Sequence, residues 1–461
     1  MQRSLLLGLL MAMGALAGAA VPPAYAAPKQ PNIVIMMADD LGFETLSANG
    51  GTPYKTPVLD KLAAEGLRFT NCVAQPLCTP TRVKIMTGRY NFRNYAKFGI
   101  LDPRETTFGH IMRKAGYATC ITGKWQLGRD RKLIDHFGFD EYCLWWLENK
   151  SARYNNVGEL IQNGKVLPGN KGEYGPDVVS SFMLDFITRH KDEPFFCYYP
   201  MILTHSPFEP TPDAPPGMTK KSPALDRMAG MVAYTDKIVS RVVAHLDSLG
   251  IRDNTVILFT GDNGTDRSIR GGRLGEHDWP GGKGSNFVEM GMRVPLVVNY
   301  PAGGVSGAVL DDPVDLTDFL PTFAELAGAK LPKNLQLDGH SFAGRLTGDR
   351  NHKPHPWAYV GYYGKARGSM SHFARDTRFK LYEGGYFYDY ISDPAHANPI
   401  DIKTARENAK ASHKMLSAVL EDMKTQFSAG DQYTGKSTNL LSTKPGLQNV
   451  RRKTEAKGAR K

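Results

Sequence analysis

Cysteine is scarce in this chain of 461 residues, and its count is odd: Cys72, Cys78, Cys120, Cys143 and Cys197. Long apolar runs are scarcer still. The one at the start, from Leu5 to about Ala20, is broken by glycines and falls short of the ~18 residues that a spanning helix needs. Arg3 stands before it and Ala24-Tyr25-Ala26 after it, so residues 1–26 read as a secretory signal rather than an anchor. The expectation is a periplasmic or secreted protein with no stable membrane insertion. In an exported chain an odd cysteine count leaves one thiol unpaired or chemically altered. If the four others pair, three connectivities are open, and the sequence does not choose among them. A one-sided charge is also missing from the body. The formal charge is +11, of which Arg3 carries one and residues 431–461 a net six, from eight Lys/Arg against two acids. What remains, about +4, lacks the basic stripe of a nucleic-acid binder, so no nucleic-acid partner is expected. The tail itself reads as a solvated, disordered terminus. No internal repeat of solenoid period occurs.

What is present alternates. "PNIVIMMADD" is an apolar run of strand length ending in Asp39 and Asp40. "TPVLDKLAAEGLRF" has helical spacing, with Thr56 as cap, Pro57 in the first turn and Gly66 as terminator. A helix and strand follow in "ETTFGHIMRKAGYATCITGKW", a buried strand in "EPFFCYYPMILTH" closing on His205, and a long amphipathic helix in "DRMAGMVAYTDKIVSRVVAHLDSLG". "NTVILFTGDNG" is a strand ending in Asp262 and Asn263. Strands alternating with helices predict an α/β fold with a large, mostly parallel sheet flanked by helices. Ligands of such sheets bind beyond the carboxyl ends of the strands, where these polar residues gather. Residues 137–175, with Trp145 and Trp146, read as excursion loops. After about residue 350 a Tyr- and Gly-rich stretch predicts a smaller antiparallel sheet, with a helix from "TARENAKASHKMLSAVLEDMKTQF" packed on it. The expected division is a catalytic unit over 28–350, a C-terminal subdomain over 351–430 and the basic tail over 431–461.

Asp39, Asp40, Asp262 and Asn263 offer hard oxygen ligands, suited to Ca²⁺ or Mg²⁺ rather than zinc. Alone, each pair reads equally well as a turn or a cap. Cys78 lies in a polar turn, "PLCTPTRVKIMTG", between Pro76 and Pro80. This stretch resembles the modification signal of the formylglycine-dependent sulfatases of the alkaline-phosphatase superfamily: a cysteine, a small residue, proline, a small residue and arginine, then Thr-Gly. The resemblance continues in order through "ADD", "TGKWQLG", "THSPF", "GDNG" and "GGKGSNFVEMGMRVPLVV", and covers roughly residues 31–348.

The resemblance implies that a maturase oxidises Cys78 to formylglycine (3-oxoalanine) on the unfolded chain. The hydrated aldehyde then attacks sulfur, a nucleophilic route that divides one hard step into two easier ones. It implies Ca²⁺, with Mg²⁺ second, held by Asp39, Asp40, Asp262, Asn263 and the residue made from Cys78. It assigns Arg82 to the hydrated aldehyde, Lys124 to a bridge between aldehyde and sulfate, and His205 and Lys283 to the sulfate oxygens and the departing alkoxide. One position departs from the pattern. Where the family usually has histidine, this chain has Gln126, an amide that hydrogen-bonds but takes no proton at neutral pH. Metal-bound hydroxide or His277 of "GEHDWP" is then the expected substitute base, or release of sulfate is slower. The implied activity is sulfate-ester hydrolysis. The loops bearing Trp145, Trp146, Arg267, Arg270, Arg273 and His277 fit a sulfated carbohydrate, with Gln126 and His277 on the substrate side. Two other functions fit parts of the same pattern: hydrolysis of a phosphonate monoester or phosphodiester with the same nucleophile, and binding of a sulfated glycan without catalysis.

Overall fold

The computed structural model describes residues 30–145, 152–169, 171–363 and 370–429. The expected signal segment, Trp146 and the basic tail lie outside these residues. The central strand, Asn32–Ala38, is buried along its whole length. Alternate side chains of a strand point to opposite faces, and Ile33, Ile35 and Met37 join one hydrophobic cluster while Val34, Met36 and Ala38 join another. Each face is therefore covered. The first cluster includes Val83, Ile85 and Met86 of the helix Cys78–Thr87 and Phe319, Leu320 and Phe323 of Phe319–Leu326. The second includes Leu59 and Leu62 of Pro57–Ala64, Phe182 and Phe186 of Gly175–Arg189, and Met231, Ile238 and Val242 of Ala224–Ser248. A strand covered on both sides tolerates a continuous apolar run, which is why the sequence shows no polar alternation there.

The large sheet has eleven strands. Its order runs Ala308–Leu310, Leu67–Val73, Arg293–Asn299, Thr255–Gly261, Asn32–Ala38, Phe195–Pro200, Ala118–Lys124, Glu141–Trp145, Leu160–Gln162 and Lys165–Leu167, with Val314–Asp315 also paired to Leu67–Val73. Most neighbours are parallel; Arg293–Asn299 runs against both of its own. The register decides where chemistry collects. Asn32 pairs with Thr255 and Ala38 with Gly261, so Asp39-Asp40 and Asp262-Asn263 leave the sheet side by side. Met37 pairs with Pro200 on the other flank, which brings the chain leading to His205 to the same edge.

The second, four-stranded antiparallel sheet comprises Ala358–Tyr363, Met370–Arg375, Phe379–Tyr382 and Phe387–Asp389. Leu416, Val419, Leu420 and Met423 of the helix Glu407–Ala429 close on Phe379, Leu381 and Phe387.

Three expectations need correction. Residues 137–175 are not simply loops: they add the strands Glu141–Trp145, Leu160–Gln162 and Lys165–Leu167 to the main sheet. Trp145 ends the first of these and is buried, so it is framework rather than an exposed glycan contact. The turn around Cys78 is the start of a ten-residue helix, every residue of which is buried. The sequence leaves the pairing of the other cysteines open; all five are free and buried.

Candidate active site

The helix Cys78–Thr87 has little of the apolar periodicity that announces a helix, because its threonines, Arg82 and Lys84 are all inside. Polar contacts hold it instead. Thr81 Oγ1 donates to Leu77 O at 2.9 Å and accepts from Gln75 N at 3.1 Å. Thr87 Oγ1 donates to Val83 O at 2.7 Å. Gly88 ends the helix at φ 64°, where a side chain would be strained. Cys78 is the first helical residue, and its Sγ lies 3.1 Å from Gln126 Oε1. Burial pushes the Cys78 thiol up, with Asp39 and Asp262 adding to the rise against Lys124 and Lys283. A thiol kept protonated is a poor nucleophile as sulfur.

Around it stand the sheet-end residues. Arg82 Nη2 donates to Asp262 Oδ2 at 2.9 Å and sits 3.9 Å from Asp39 Oδ1. Lys124 Nζ donates to Asp39 Oδ2 at 2.6 Å, and Lys283 Nζ to Asp40 Oδ2 at 2.6 Å. Asn263 Nδ2 donates to Asp40 Oδ1 at 2.8 Å, and the Asp40 N–H to Asp262 Oδ1 at 2.9 Å. Asp39, Cys78 and Asp262 each present an atom within 4.8 Å of the others, as do Asp39, Asp40 and His205. Asp40 and Gln126 both hold left-handed backbone conformations, at φ 61° and 54°. Non-glycine residues are strained there, and such strain concentrates at functional sites.

Burial alone would raise the Asp39 carboxyl, but Lys124, His205, Arg82 and Lys283 outweigh it and hold it far below the usual range. Burial and the neighbouring Asp39 charge push Asp262 up to about 7, against Arg82 and Lys124. A cation among these oxygens reverses that rise. Two buried oxygens, Asp39 Oδ1 and Asn263 Oδ1, have no hydrogen-bond partner, and neither do Arg82 Nε and Nη1. The cluster thus keeps unused acceptors and unused donors together, which fits a hard divalent cation beside an anion. Three carboxylates face Arg82, Lys124 and Lys283, so a divalent ion makes the pocket net positive. Lys283 and His205 face outward, their side chains 15% and 20% exposed, while Arg82 and Lys124 are sealed at 1% and 0%.

His205 Nε2 lies 3.8 Å from Asp40 Oδ2. Burial pulls its pKa down in spite of Asp39 and Asp40. Its Nδ1 has two competing partners, Ser206 O at 2.7 Å and Arg153 Nη1 at 2.8 Å. Arginine only donates, so contact with Arg153 makes Nδ1 the acceptor and leaves the proton on Nε2, toward the cluster. Arg153 also covers the Trp145 ring, its Cζ 4.4 Å from the centroid. Sequence reasoning missed Arg153, which carries no motif and lies in the stretch read as loops. His277 stands apart, exposed on a two-residue strand paired with Arg273–Leu274. Arg267, Arg270 and Arg273 are exposed in the same segment.

Residues 31–329 match the model of the Sulfatase family, and residues 275–426 match that of N-sulphoglucosamine sulphohydrolase, C-terminal. Bovine (Bos taurus) arylsulfatase A is 32% identical over 428 residues, 83% of this chain and 81% of that protein. Ps i-CgsB, solved in complex with k-i-k-neocarrahexaose, aligns at TM-score 0.72 and 25% identity over 93% of this chain and 98% of that one. A protein solved with its substrate D-glucosamine-2-N,6-O-disulfate shares the fold at TM-score 0.71 and 23% identity, over 88% of this chain and 100% of that one. With that family match, which takes in the cysteine, the acid pairs and both lysines, the chain belongs to the formylglycine-dependent sulfatases of the alkaline-phosphatase superfamily and is a sulfuric-ester hydrolase.

Proposed function

We propose that this protein is an exported hydrolase of sulfate monoesters on sulfated carbohydrate, acting through a nucleophile made from Cys78. The observation that carries the reading is the convergence of Cys78, Gln126 and the charge cluster, with donors and acceptors left unmade in one closed space. Conversion of Cys78 to formylglycine by a maturase supplies a hydrated aldehyde as nucleophile. Asp39, Asp40, Asp262, Asn263 and the converted residue would hold a Ca²⁺ ion, or Mg²⁺ in its place, which would polarise the sulfate oxygens.

The chain's own groups do the rest. Arg82, fixed by Asp262, keeps Nε and Nη1 free for the residue made from Cys78. Lys124, anchored on Asp39, bridges the converted residue and sulfate, and Lys283, anchored on Asp40, meets sulfate oxygens. His205, with its proton on Nε2, donates toward the leaving alkoxide. Gln126 orients residue 78 through its Oε1 and takes no proton, so release of sulfate relies on another base. His277 and its neighbouring arginines meet the glycan on the outer side. The domain division at about residues 350 and 430, the N-terminal signal and a periplasmic or secreted location belong to the same proposal.

The test has two parts. Peptide mass spectrometry of material from the native host is expected to show the Cys78 peptide carrying an aldehyde in place of the thiol; a fully unmodified thiol rejects the reading. A panel of aryl sulfate, aryl phosphate and phosphonate esters is expected to favour sulfate, and a preference for phosphonate reassigns the ester.

A further inference from the structure

Gln126 has two neighbourhoods. One is its contact with Cys78. The other is a cavity of about 440 Å³, of which it forms a wall together with Lys97, Phe98, Gly128 and Arg129. The walls are tied to the reaction centre. The Gly99 N–H donates to Thr79 Oγ1 at 3.2 Å, one residue beyond Cys78, and the Leu101 N–H donates to Leu127 O at 3.1 Å, one residue beyond Gln126.

The cavity is large for a lone sulfate and lies in the range of small-molecule sites. Lys97 and Arg129 are exposed and enter no ion pair among the described residues. The acids nearest in sequence are engaged elsewhere: Asp102 with Arg104 at 2.8 Å, and Asp130 with the Lys132 N–H at 3.0 Å. Phe98, on the same wall, is 41% exposed. Two unpaired cations beside an open aromatic face suit a sugar that carries negative charge, since the ring takes the apolar face and the cations take the anion.

We propose that this cavity is a second anion subsite. While the ester to be cleaved lies at residue 78, the cavity receives the adjacent sulfated or carboxylated unit of the same oligosaccharide. The assignment rests on the sulfatase reading above and deepens it: the substrate is an anionic oligomer rather than a singly sulfated sugar.

Calorimetric binding to the full-length chain tests this without maturation of Cys78. The probes are a sulfated, carboxylate-free carrageenan tetrasaccharide, a carboxylated, sulfate-free hyaluronan tetrasaccharide, and inorganic sulfate. Lys97→Ala/Arg129→Ala is expected to weaken at least one tetrasaccharide tenfold or more, and Lys97→Glu/Arg129→Glu to weaken it further. The exposed pair Lys330→Ala/Lys333→Ala is expected to leave it unchanged, and melting curves confirm folding of each variant. The arm that responds names the anion. Equal affinity in the cavity variants, or wild-type binding of both tetrasaccharides no tighter than inorganic sulfate, overturns the proposal. Failure of the sulfatase reading shows elsewhere, as absent turnover of a monoanionic aryl sulfate by converted protein.

Discussion

Two of the buried charge clusters among the described residues differ in what they leave unsatisfied. At the sheet end, Asp39, Asp40 and Asp262 face Arg82, Lys124 and Lys283, with unused acceptors on Asp39 and Asn263 and unused donors on Arg82. At the junction of the two sheets, one carboxylate, Glu289, faces Arg375 at 2.7 Å, Lys380 at 3.2 Å and His396 at 3.7 Å. There the unused polar atoms are nitrogens only, Arg375 Nε and Nη2 and His396 Nε2. Aromatic faces absorb much of that surplus: Arg375 lies 3.7 Å over the Tyr390 ring and Lys380 3.9 Å over Phe373. Burial also drives Lys380 down to about 8 and His396 to about 3, which trims the positive charge further. The second cluster is complete as it stands. The first is built for visitors of both signs.

If that distinction holds, damage to the two should read out differently. The largest expected effect is on chemistry: Cys78→Ala lowers aryl sulfate turnover by about 10⁴-fold or more, with an unchanged melting curve. Residual activity within tenfold of wild type would place the nucleophile elsewhere. Next is Glu289→Ala, which strands buried cations and costs about 3–5 kcal/mol of stability. Denaturant unfolding measures it, and a loss under 1 kcal/mol would mean that the junction is held by packing alone.

Calcium removal comes third. Chelation is expected to abolish turnover and lower the melting temperature, by the equivalent of about 2.7 kcal/mol when the ion had been present at a hundred times its dissociation constant. Restored calcium reverses both. An indifferent melting curve would contradict a cation at the sheet end.

Fourth is a pH effect at Glu44, whose Oε1 is held by Thr265 beneath the acid pairs. Burial pushes this carboxyl up to about 7 from an ordinary 4.5, so the folded state favours the protonated form. That stabilisation is complete below about 4.5 and is lost as pH rises through about 7, a change of at most roughly 3 kcal/mol. Glu44→Gln should flatten that decline in melting temperature across the window; an identical slope would remove Glu44 as its source. The smallest effect is expected from Gln126→His, which supplies the missing base and raises kcat severalfold. An unchanged ratio of burst to steady state would show that sulfate release is not limiting.

Much of this was legible in the chain because the strands are covered on both faces. Apolar runs such as that from Asn32 to Ala38 mark themselves, and their last residues point to the edge where ligands bind. The acid pairs and His205 fall at this edge, and Lys124 and Lys283, which only the resemblance singled out, meet them there. What was not legible depends on distant contacts. Glu141–Trp145 is a short strand whose partner, Ala118–Lys124, is far simpler to recognise, and Trp145 is inside only because Arg153 and the sheet close over it. The helix at Cys78 has no apolar stripe, since it is surrounded rather than laid on a surface. The antiparallel run of Arg293–Asn299 within a parallel sheet follows from how the chain returns, which no local pattern encodes.

The Glu289 cluster also ties the reactive site to the C-terminal part of the chain. Lys283 and Glu289 belong to one short segment, and that segment is clasped by Arg375, Lys380 and His396, contributed about a hundred residues later. The acids it must meet were synthesised at the opposite end, at Asp39 and Asp40. An unfolded chain therefore carries the side chains of the site but not the site. The reactive centre depends on contacts between segments from both ends of the described chain.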